Sequence, residues 1–307
     1  MNKVENYLLG MDCGTTNIKA VIIGEDGTVA AEASRPNCFI CPGPGMQEQD
    51  AGRWWENSVE IFRDLCEKAG MEVVRRIRGI GISSHTVTML PVDKDGVPLR
   101  NALTYQDTRS GGELDCILDT IGWEHFVNIV GGRPGAGFLP SKILWFKKNE
   151  PELFAKTSSF MQASSYINFK LTGKRTIDID QAARTQCLDI STMDWATEIG
   201  NAIGVDLDLV MPPLKLVNEI IGFVTDEAAD ETGLVSGIPV IAGCSDAMAY
   251  MDAMGMSRLG EAGESSGTSS LVFVGSDVKS APDLPVMTKP CAITGMPWVF
   301  DAPITTT

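Results

Sequence analysis

Residues 8–23 read LLGMDCGTTNIKAVII, which is two apolar runs separated by a short polar turn. The first run stops at Asp12, and the second leads into Asp26-Gly27. This order predicts a strand, a tight turn, a second strand and another turn. The first turn carries a carboxylate, two hydroxyl groups and a glycine, with Lys19 just beyond it. Such groups suit a polyphosphate and its metal ion.

Composition limits the kinds of partner that the chain can have. The 307 residues carry a formal net charge of −15, which argues against a nucleic-acid partner because such a partner requires a basic face. No apolar run reaches the roughly 20 residues of a membrane span, so we expect no membrane partner. The polar start MNKVEN does not resemble a signal peptide, and the eight cysteines are scattered as reduced core thiols are. We therefore expect a cytoplasmic protein.

Strands and helices are mixed along the whole chain, so the predicted class is α/β. The strands are predicted at residues 7–12, 18–24, 28–33, 77–83, 89–92, 97–99, 103–106, 238–242, 271–274 and 298–300. The helices are predicted at residues 51–69, 112–121, 142–148, 164–171, 227–232 and 247–254. Asp50 is expected to cap the first helix and Gly70 to end it.

The turn after the first strand is a candidate phosphate site. Gly14 lets the backbone approach an anion closely, because it has no Cβ atom. The turn N–H groups and the hydroxyls of Thr15 and Thr16 can then donate to phosphate oxygens, and Lys19 adds a positive charge. Asp12 would hold Mg²⁺, usually through water, because a carboxylate repels phosphate. An ordinary hairpin is the alternative interpretation.

A second copy of this pattern occurs late in the chain. Residues 10–16 and residues 263–269 both read G-x-x-x-G-T-[T/S], and each is followed by an apolar strand. In the second copy the phosphate-binding residues would be Gly267, Thr268 and Ser269. Two such turns can face each other across a cleft, so the repeat predicts two similar domains.

Two further strand ends carry polar groups. Asp246 follows a buried strand and begins a helix, at the kind of strand end where α/β sheets bind ligands. It could accept the proton of an attacking hydroxyl, or it could simply cap the helix. The strand through Gly81 runs into His85 and Thr86, and Asp107 and Arg109 follow a short strand. These clusters suit a polyol substrate, although His85 could equally be a structural histidine.

The ordered set of motifs resembles the FGGY carbohydrate kinases, which belong to the actin and hexokinase-like (ribonuclease H-like) ATPase superfamily. The resemblance covers nearly the whole chain. It is carried by the segments LLGMDCGTTNIKAVIIGEDG (8–27), GMQEQDAGRWWEN (45–57), GIGISSHTVTMLPVDKDGVPLRNALTYQDTRS (79–110), KILWFKKNEPELF (142–154), MPPLKLVNEIIGFVTDEAADETGL (211–234), GIPVIAGCSDAMA (237–249) and ESSGTSS (264–270).

The resemblance implies a role for each matching residue. Asp246 would be the general base, and Asp12 would organise Mg²⁺. ATP phosphates would be held by Gly14, Thr15, Thr16 and Lys19 from one domain and by Gly267, Thr268 and Ser269 from the other. The sugar would be contacted by His85 and Thr86, and contacted or supported by Asp107 and Arg109.

The implied activity is ATP-dependent phosphorylation of a ketopentose, such as a xylulose, or of a polyol. Thr86 and Val87 stand where glycerol kinases carry Arg-Glu, which argues against glycerol. Residues 1–254 would form the N-terminal domain and residues 255–307 the incomplete start of the nucleotide-binding domain. Besides the sugar or polyol substrate, the expected partner is a second copy of this chain or a separate chain that completes the enzyme.

Two alternatives stay open. A truncated kinase domain could bind sugar or a partner without turnover. A different actin-like ATPase is the other alternative, although the KILWFKKNEPE helix and the Asp246 segment are typical of sugar kinases.

Overall fold

A mixed β-sheet flanked by helices forms the centre of the computed structural model, which describes residues 5–266, 270–279, 286–291 and 296–304. The strands are β1 (Tyr7–Cys13), β2 (Asn17–Gly24), β3 (Val29–Pro36), β4 (Glu48–Gln49), β5 (Ile77–Ser84), β6 (Leu90–Val92), β7 (Ala102–Leu103), β8 (Ser159–Met161), β9 (Ile177–Asp178), β10 (Leu188–Asp189), β11 (Asp194–Trp195), β12 (Leu214–Lys215), β13 (Ile220–Phe223), β14 (Pro239–Ile241), β15 (Cys244–Ser245), β16 (Ala262–Ser266), β17 (Ser270–Ser276), β18 (Met287–Pro290) and β19 (Trp298–Ile304). The helices are α1 (Ala51–Ala69), α2 (Met71–Val74), α3 (Gly111–Ile121), α4 (Trp123–Val130), α5 (Leu139–Asn149), α6 (Pro151–Phe154), α7 (Ala163–Thr172), α8 (Ile179–Arg184), α9 (Thr197–Ile203), α10 (Leu207–Val210), α11 (Asp226–Thr232) and α12 (Asp246–Ala253).

The central sheet has seven strands in the order β13-β14-β5-β1-β2-β3, with β15 beside β5. Strands β1, β2 and β3 form an antiparallel meander, whereas β5 runs parallel to β1, β14 and β15. The predicted α/β class with a mixed sheet is therefore confirmed. The parallel strands bring the ends of β1, β5 and β15 to one edge of the sheet.

One face of the sheet packs against α1. Alternate residues of β1 and β2, such as Leu9 and Ile22, are buried, as the period of two in a strand requires. Trp54 and Phe62 of α1 are fully buried in the same cluster. Burial of each such large side chain is worth about 1.5–3 kcal/mol, so this contact holds the sheet in place. The Asp50 carboxylate accepts a bond of 2.8 Å from Gly52 N–H, which confirms the predicted cap.

Two other apolar clusters support the rest of the chain. One lies among α3, α4, α5 and α9 and includes Phe126, Phe146 and Phe160. The other lies between α12 and the four-stranded sheet β16-β17-β19-β18, and it includes Met251 and Phe273. These clusters fix the segments that reach the strand ends from either side.

Several predicted elements differ from the structure in extent. The strand predicted at residues 103–106 ends at Leu103, because Asp107 N–H bonds to the Thr104 carbonyl in a turn. The strand predicted at 97–99 is reduced to a bridge between Val92 and Pro98, although the predicted hairpin is present. The short elements at 177–189 were not predicted. All eight cysteines are free thiols, and in the described ranges no helix is long and apolar enough to cross a membrane.

Candidate active site

Three strand ends meet at the candidate active site. In the parallel pairing of β1 and β5, Asp12 lies opposite Ser83 and Cys13 lies opposite Ser84. In the pairing of β15 and β5, the same two serines lie opposite Cys244 and Ser245. The pairing therefore brings the Asp12 and Asp246 segments to either side of β5. A groove of about 1360 Å³ opens here. Asp12, Lys19 and Ser83 line it, whereas the described residues Gly14, His85 and Asp246 are not part of its lining.

The first phosphate turn is tightly constrained. A Cβ atom on Gly14 would lie 2.8 Å from the Asn17 carbonyl oxygen and 3.1 Å from Asp12 Oδ2, so only glycine fits without a shift. The carbonyl oxygens of Gly14 and Thr15 accept bonds of 2.9 Å from Asn37 Nδ2 and Gln49 Nε2. The turn is thus fixed by its carbonyl groups.

Asp12 is oriented by a hydroxyl group. Its Oδ1 accepts a bond of 3.0 Å from Ser83 Oγ. Burial raises the pKa of the Asp12 carboxyl, the Ser83 bond lowers it, and the charge of Asp246 raises it again. Lys19 lies opposite Asp12 in the antiparallel pairing of β1 and β2, and its positive charge also lowers the Asp12 pKa. The two predicted carboxylates therefore interact electrostatically, which supports their assignment to one site.

Asp12 fits the way in which proteins hold Mg²⁺. In the described part of the chain, no group of three or more His, Cys, Asp or Glu side chains could hold a metal ion. Mg²⁺ usually uses one or two carboxylates together with substrate phosphates and water, rather than a cage of protein ligands. A single carboxylate beside a glycine turn is consistent with that mode of binding.

Asp246 begins helix α12. The helix is capped by Ser245, whose Oγ accepts a bond of 3.0 Å from Met248 N–H. Asp246 itself accepts a bond of 2.8 Å from Ala247 N–H. Burial raises the Asp246 pKa, whereas the Ala247 bond and the positive charge of Arg184 lower it. A carboxylate with a raised pKa is a stronger base, so the setting suits proton acceptance. The cap is Ser245 rather than Asp246, which leaves the alternative of a capping aspartate without support.

The chain before Asp246 passes very close to β5, and Gly243 makes this close contact possible. Its φ is +84°, and a Cβ atom there would lie 2.0 Å from the Ile82 carbonyl oxygen. The chain between β14 and β15 can therefore pass β5 at this distance only with glycine.

His85 is buried at the end of β5. Its Nδ1 lies 2.8 Å from the Cys13 carbonyl oxygen, which can only accept, so Nδ1 carries the proton. Its Nε2 is buried and has no partner among the residues that the structure describes. Burial lowers the His85 pKa, while the Cys13 bond raises it. A neutral ring with a free Nε2 acceptor suits a substrate hydroxyl. Thr86 follows and is half-buried.

Asp107 and Arg109 form a buried pair. Arg109 Nη2 lies 2.7 Å from Asp107 Oδ2 and 2.8 Å from Glu48 Oε1, and its guanidinium stacks on the Trp145 ring at 5.1 Å. Asp107 also accepts a bond of 2.7 Å from Gln47 N–H. These bonds join the pair to its neighbours rather than to Asp12 and Asp246. The predicted contact of this pair with sugar stays a prediction.

The second phosphate turn, with Gly267, Thr268 and Ser269, lies outside the described residues. The flanking strands β16 and β17 are antiparallel, with Ser266 opposite Ser270.

Sequence reasoning missed three residues that brace the site. Gln181 Nε2 donates to Ser84 Oγ at 2.9 Å, and Asp180 Oδ2 accepts from Ser245 N–H at 2.9 Å. Arg184 forms an ion pair with Asp180 at 2.9 Å. The Asp180–Arg184 spacing of i and i+4 was one available signal, since such pairs meet on one helix face, and Asp178 as the cap of α8 was another.

Comparisons with known proteins show the family of the chain. The model of the FGGY family of carbohydrate kinases, N-terminal domain, matches residues 7–251. The chain is 31% identical over 267 residues to xylulose kinase of Bacillus subtilis (strain 168), covering 87% of this chain and 53% of that relative. It is also 31% identical over 244 residues to L-fuculokinase of Escherichia coli (strain K12), covering 79% of this chain and 51% of that relative.

Solved structures show the same relationship. The crystal structure of xylulose kinase from Rhodospirillum rubrum superposes with a TM-score of 0.93 at 27% identity, covering 98% of this chain and 61% of that one. The expected actin and hexokinase-like fold is therefore confirmed. The chain spans about half the length of the curated relatives described above. The chain belongs to the FGGY family of carbohydrate kinases.

Proposed function

We propose that this protein phosphorylates a small sugar, a ketopentose such as a xylulose, or a polyol, with ATP as the phosphoryl donor. The observation that carries the proposal is the meeting of Asp12 and Asp246 on either side of β5, beside the Gly14 turn. The names of the relatives, xylulose kinase and L-fuculokinase, support a sugar as the acceptor.

The proposed reaction is an in-line phosphoryl transfer. Asp246 accepts the proton of the attacking sugar hydroxyl. The oxygen of that hydroxyl bonds to the γ-phosphorus, and the bond between this phosphorus and the bridging oxygen breaks to release ADP. Mg²⁺, when bound, neutralises charge on the phosphate oxygens, and Asp12 would hold it. Gly14, Thr15, Thr16 and Lys19 would bind the phosphates, with Gly267, Thr268 and Ser269 as the second half of the clamp.

The remaining residues position the sugar. His85 Nε2 would accept a bond from a sugar hydroxyl, because Nδ1 is already committed to the Cys13 carbonyl. Thr86 would add a hydroxyl contact, and the Asp107–Arg109 pair would contact the sugar or support its site. In this proposal residues 1–254 form the sugar-binding domain, residues 255–307 belong to the nucleotide-binding domain, and the protein is cytoplasmic.

A product assay tests the proposal. The chain is incubated with ATP, Mg²⁺ and one sugar at a time, and ADP and sugar phosphate are measured by mass spectrometry. We expect equal amounts of ADP and sugar phosphate with at least one ketopentose, and no product with glycerol. ADP release that is independent of every sugar would contradict the proposal.

Binding of sugar without turnover is the second candidate, and it is supported by the buried His85 Nε2, which has no partner in the described part of the chain. Calorimetry distinguishes the two, because this candidate predicts sugar binding without binding of ATP and Mg²⁺.

A further inference from the structure

Helix α8 contacts the ends of two site strands. Gln181 Nε2 donates to Ser84 Oγ at the end of β5, at 2.9 Å. Asp180 Oδ2 accepts a bond of 2.9 Å from the N–H of Ser245, the residue directly before Asp246. Asp180 and Ser245 are both fully buried, so this bond is shielded from water. The backbone that carries Asp246 is therefore tied to α8.

The same helix also reaches the four-stranded sheet. Arg184 Nε donates to Asp180 Oδ1 at 2.9 Å, and Arg184 Nη1 donates to Asp301 Oδ2 of β19 at 2.7 Å. Both carboxylates are fully buried and Arg184 is 5% exposed. Lys289 Nζ of β18 donates to the Ala183 carbonyl at 3.3 Å, so a second cation joins this contact. A continuous chain of bonds therefore runs from Asp301 through Arg184 and Asp180 to Ser245.

Stability alone does not account for this arrangement. Removal of three charges from water is costly, and apolar replacements of buried ion networks are often neutral or stabilising. The network is also incomplete, since Arg184 Nη2 and Asp301 Oδ1 are buried without a partner in the described part of the chain. Burial opposes the charge on Arg184, but Asp180 and Asp301 outweigh it and raise the Arg184 pKa, so the cation persists. The charge of Arg184 lowers the pKa of Asp246, whereas burial and the charge of Asp180 raise it.

We propose that Asp180 and Arg184 are positioning residues for Asp246, and that Asp301 makes their position depend on the four-stranded sheet. This inference rests on the proposed function, in which Asp246 is the base. A shift of the four-stranded sheet on ligand binding would then reach Ser245 and Asp246 through the Asp301–Arg184 and Arg184–Asp180 ion pairs and the hydrogen bond from Ser245 N–H to Asp180.

Amide hydrogen exchange at Ser245, followed by NMR in the 307-residue chain, tests the coupling without any need for turnover. We expect Asp180→Ala and Asp301→Ala each to speed exchange of the Ser245 amide by about tenfold or more, because the first removes the acceptor of that amide and the second removes a link that holds the acceptor. Asp301→Asn retains an acceptor for Arg184 and should recover part of the protection. Val299→Ala is the matched control, since Val299 is a buried apolar residue of the same strand β19.

The inference is overturned if Asp301→Ala changes Ser245 exchange no more than Val299→Ala does. Turnover supplies the second measurement. With a sugar that is phosphorylated, we expect Asp301→Ala to lower kcat by about tenfold, with the KM for sugar changed by less than about twofold, as for loss of a contact that matters in the transition state. Equal kcat in the Asp301→Ala and Val299→Ala variants would also count against it. If the wild-type chain makes no product, the proposed function fails, while the exchange result still decides the coupling.

Discussion

Gly243 and Gly237 have nearly the same positive φ but different surroundings. Their φ values are +84° and +86°, yet a Cβ atom meets the Ile82 carbonyl oxygen at 2.0 Å in the first case and nothing within 4 Å in the second. We expect Gly243→Ala to lower the free energy of unfolding by about 3 kcal/mol or more, and Gly237→Ala by only about 1 kcal/mol. Denaturant titration measures both. Equal losses would show that backbone strain alone, rather than the approach to β5, requires Gly243.

Burial raises the pKa of Asp12, so its ionised carboxylate lowers the free energy of unfolding at neutral pH. The folded state holds the Asp12 proton more tightly than the unfolded state does. The contribution of Asp12 to the free energy of unfolding therefore falls as the pH rises above 3.8. We expect Asp12→Asn to raise the free energy of unfolding at pH 7 by about 0.5–2 kcal/mol, a gain that disappears near pH 3. Mg²⁺-dependent turnover should be lost in the same variant. A less stable Asp12→Asn protein at pH 7 would contradict this interpretation.

At the scale of elements, helix α5 fixes the turn that follows β5. Lys142 of α5 is fully buried, and its Nζ donates to the carbonyl oxygens of Val87 at 2.9 Å and Thr104 at 2.6 Å. Val87 has a φ of +60°, which is strained for a β-branched residue. Burial lowers the Lys142 pKa to about 7. A neutral amine has two N–H donors, and these two carbonyl groups use both.

This arrangement predicts a pH-dependent contribution of Lys142 to stability. Between about pH 7 and pH 10.5 the unfolded state holds a proton that the folded state does not, so stability rises with pH over this window. We expect wild type to gain about 1–3 kcal/mol over Lys142→Met between pH 7 and pH 9. Lys148→Met, on the exposed side of the same helix, is the control. A stability difference between wild type and Lys142→Met that is the same at both pH values would refute the buried-amine interpretation.

Long periodic elements could be predicted from the sequence, whereas short ones could not. Helix α1 has a cap, an apolar stripe and a terminal glycine, and its bounds agree with the prediction. In segment 177–189 the only one of these signals is the Asp178 cap of α8, because β9, α8 and β10 each span six residues or fewer and are too short for an apolar stripe. Their places are set by long-range contacts, such as that of Asp180 with Ser245, which no local pattern encodes.

At the scale of the whole molecule, the candidate site joins residues from distant parts of the chain. Asp12 and Asp246 could be identified because each follows an apolar strand within a recognisable motif. The roles of Lys142 and Arg184 could not be predicted from local pattern. Both partners of Lys142 are 38 or more residues away, and Arg184 has one partner nearby, Asp180, and one 117 residues away, Asp301. The sequence pattern therefore locates the groups proposed for the chemistry, while the groups that hold them become visible only in three dimensions.

The central claim is that Asp246 takes the proton of the sugar hydroxyl, and replacement of its carboxylate tests this most directly. Asp226→Asn is a matched control, because Asp226 also begins a helix behind a hydroxyl cap, Thr225, but is exposed on α11. With a phosphorylated sugar, we predict that Asp246→Asn lowers kcat by about 10²–10⁴-fold, whereas Asp226→Asn leaves it unchanged. Retention of wild-type kcat in a folded Asp246→Asn protein would contradict the account.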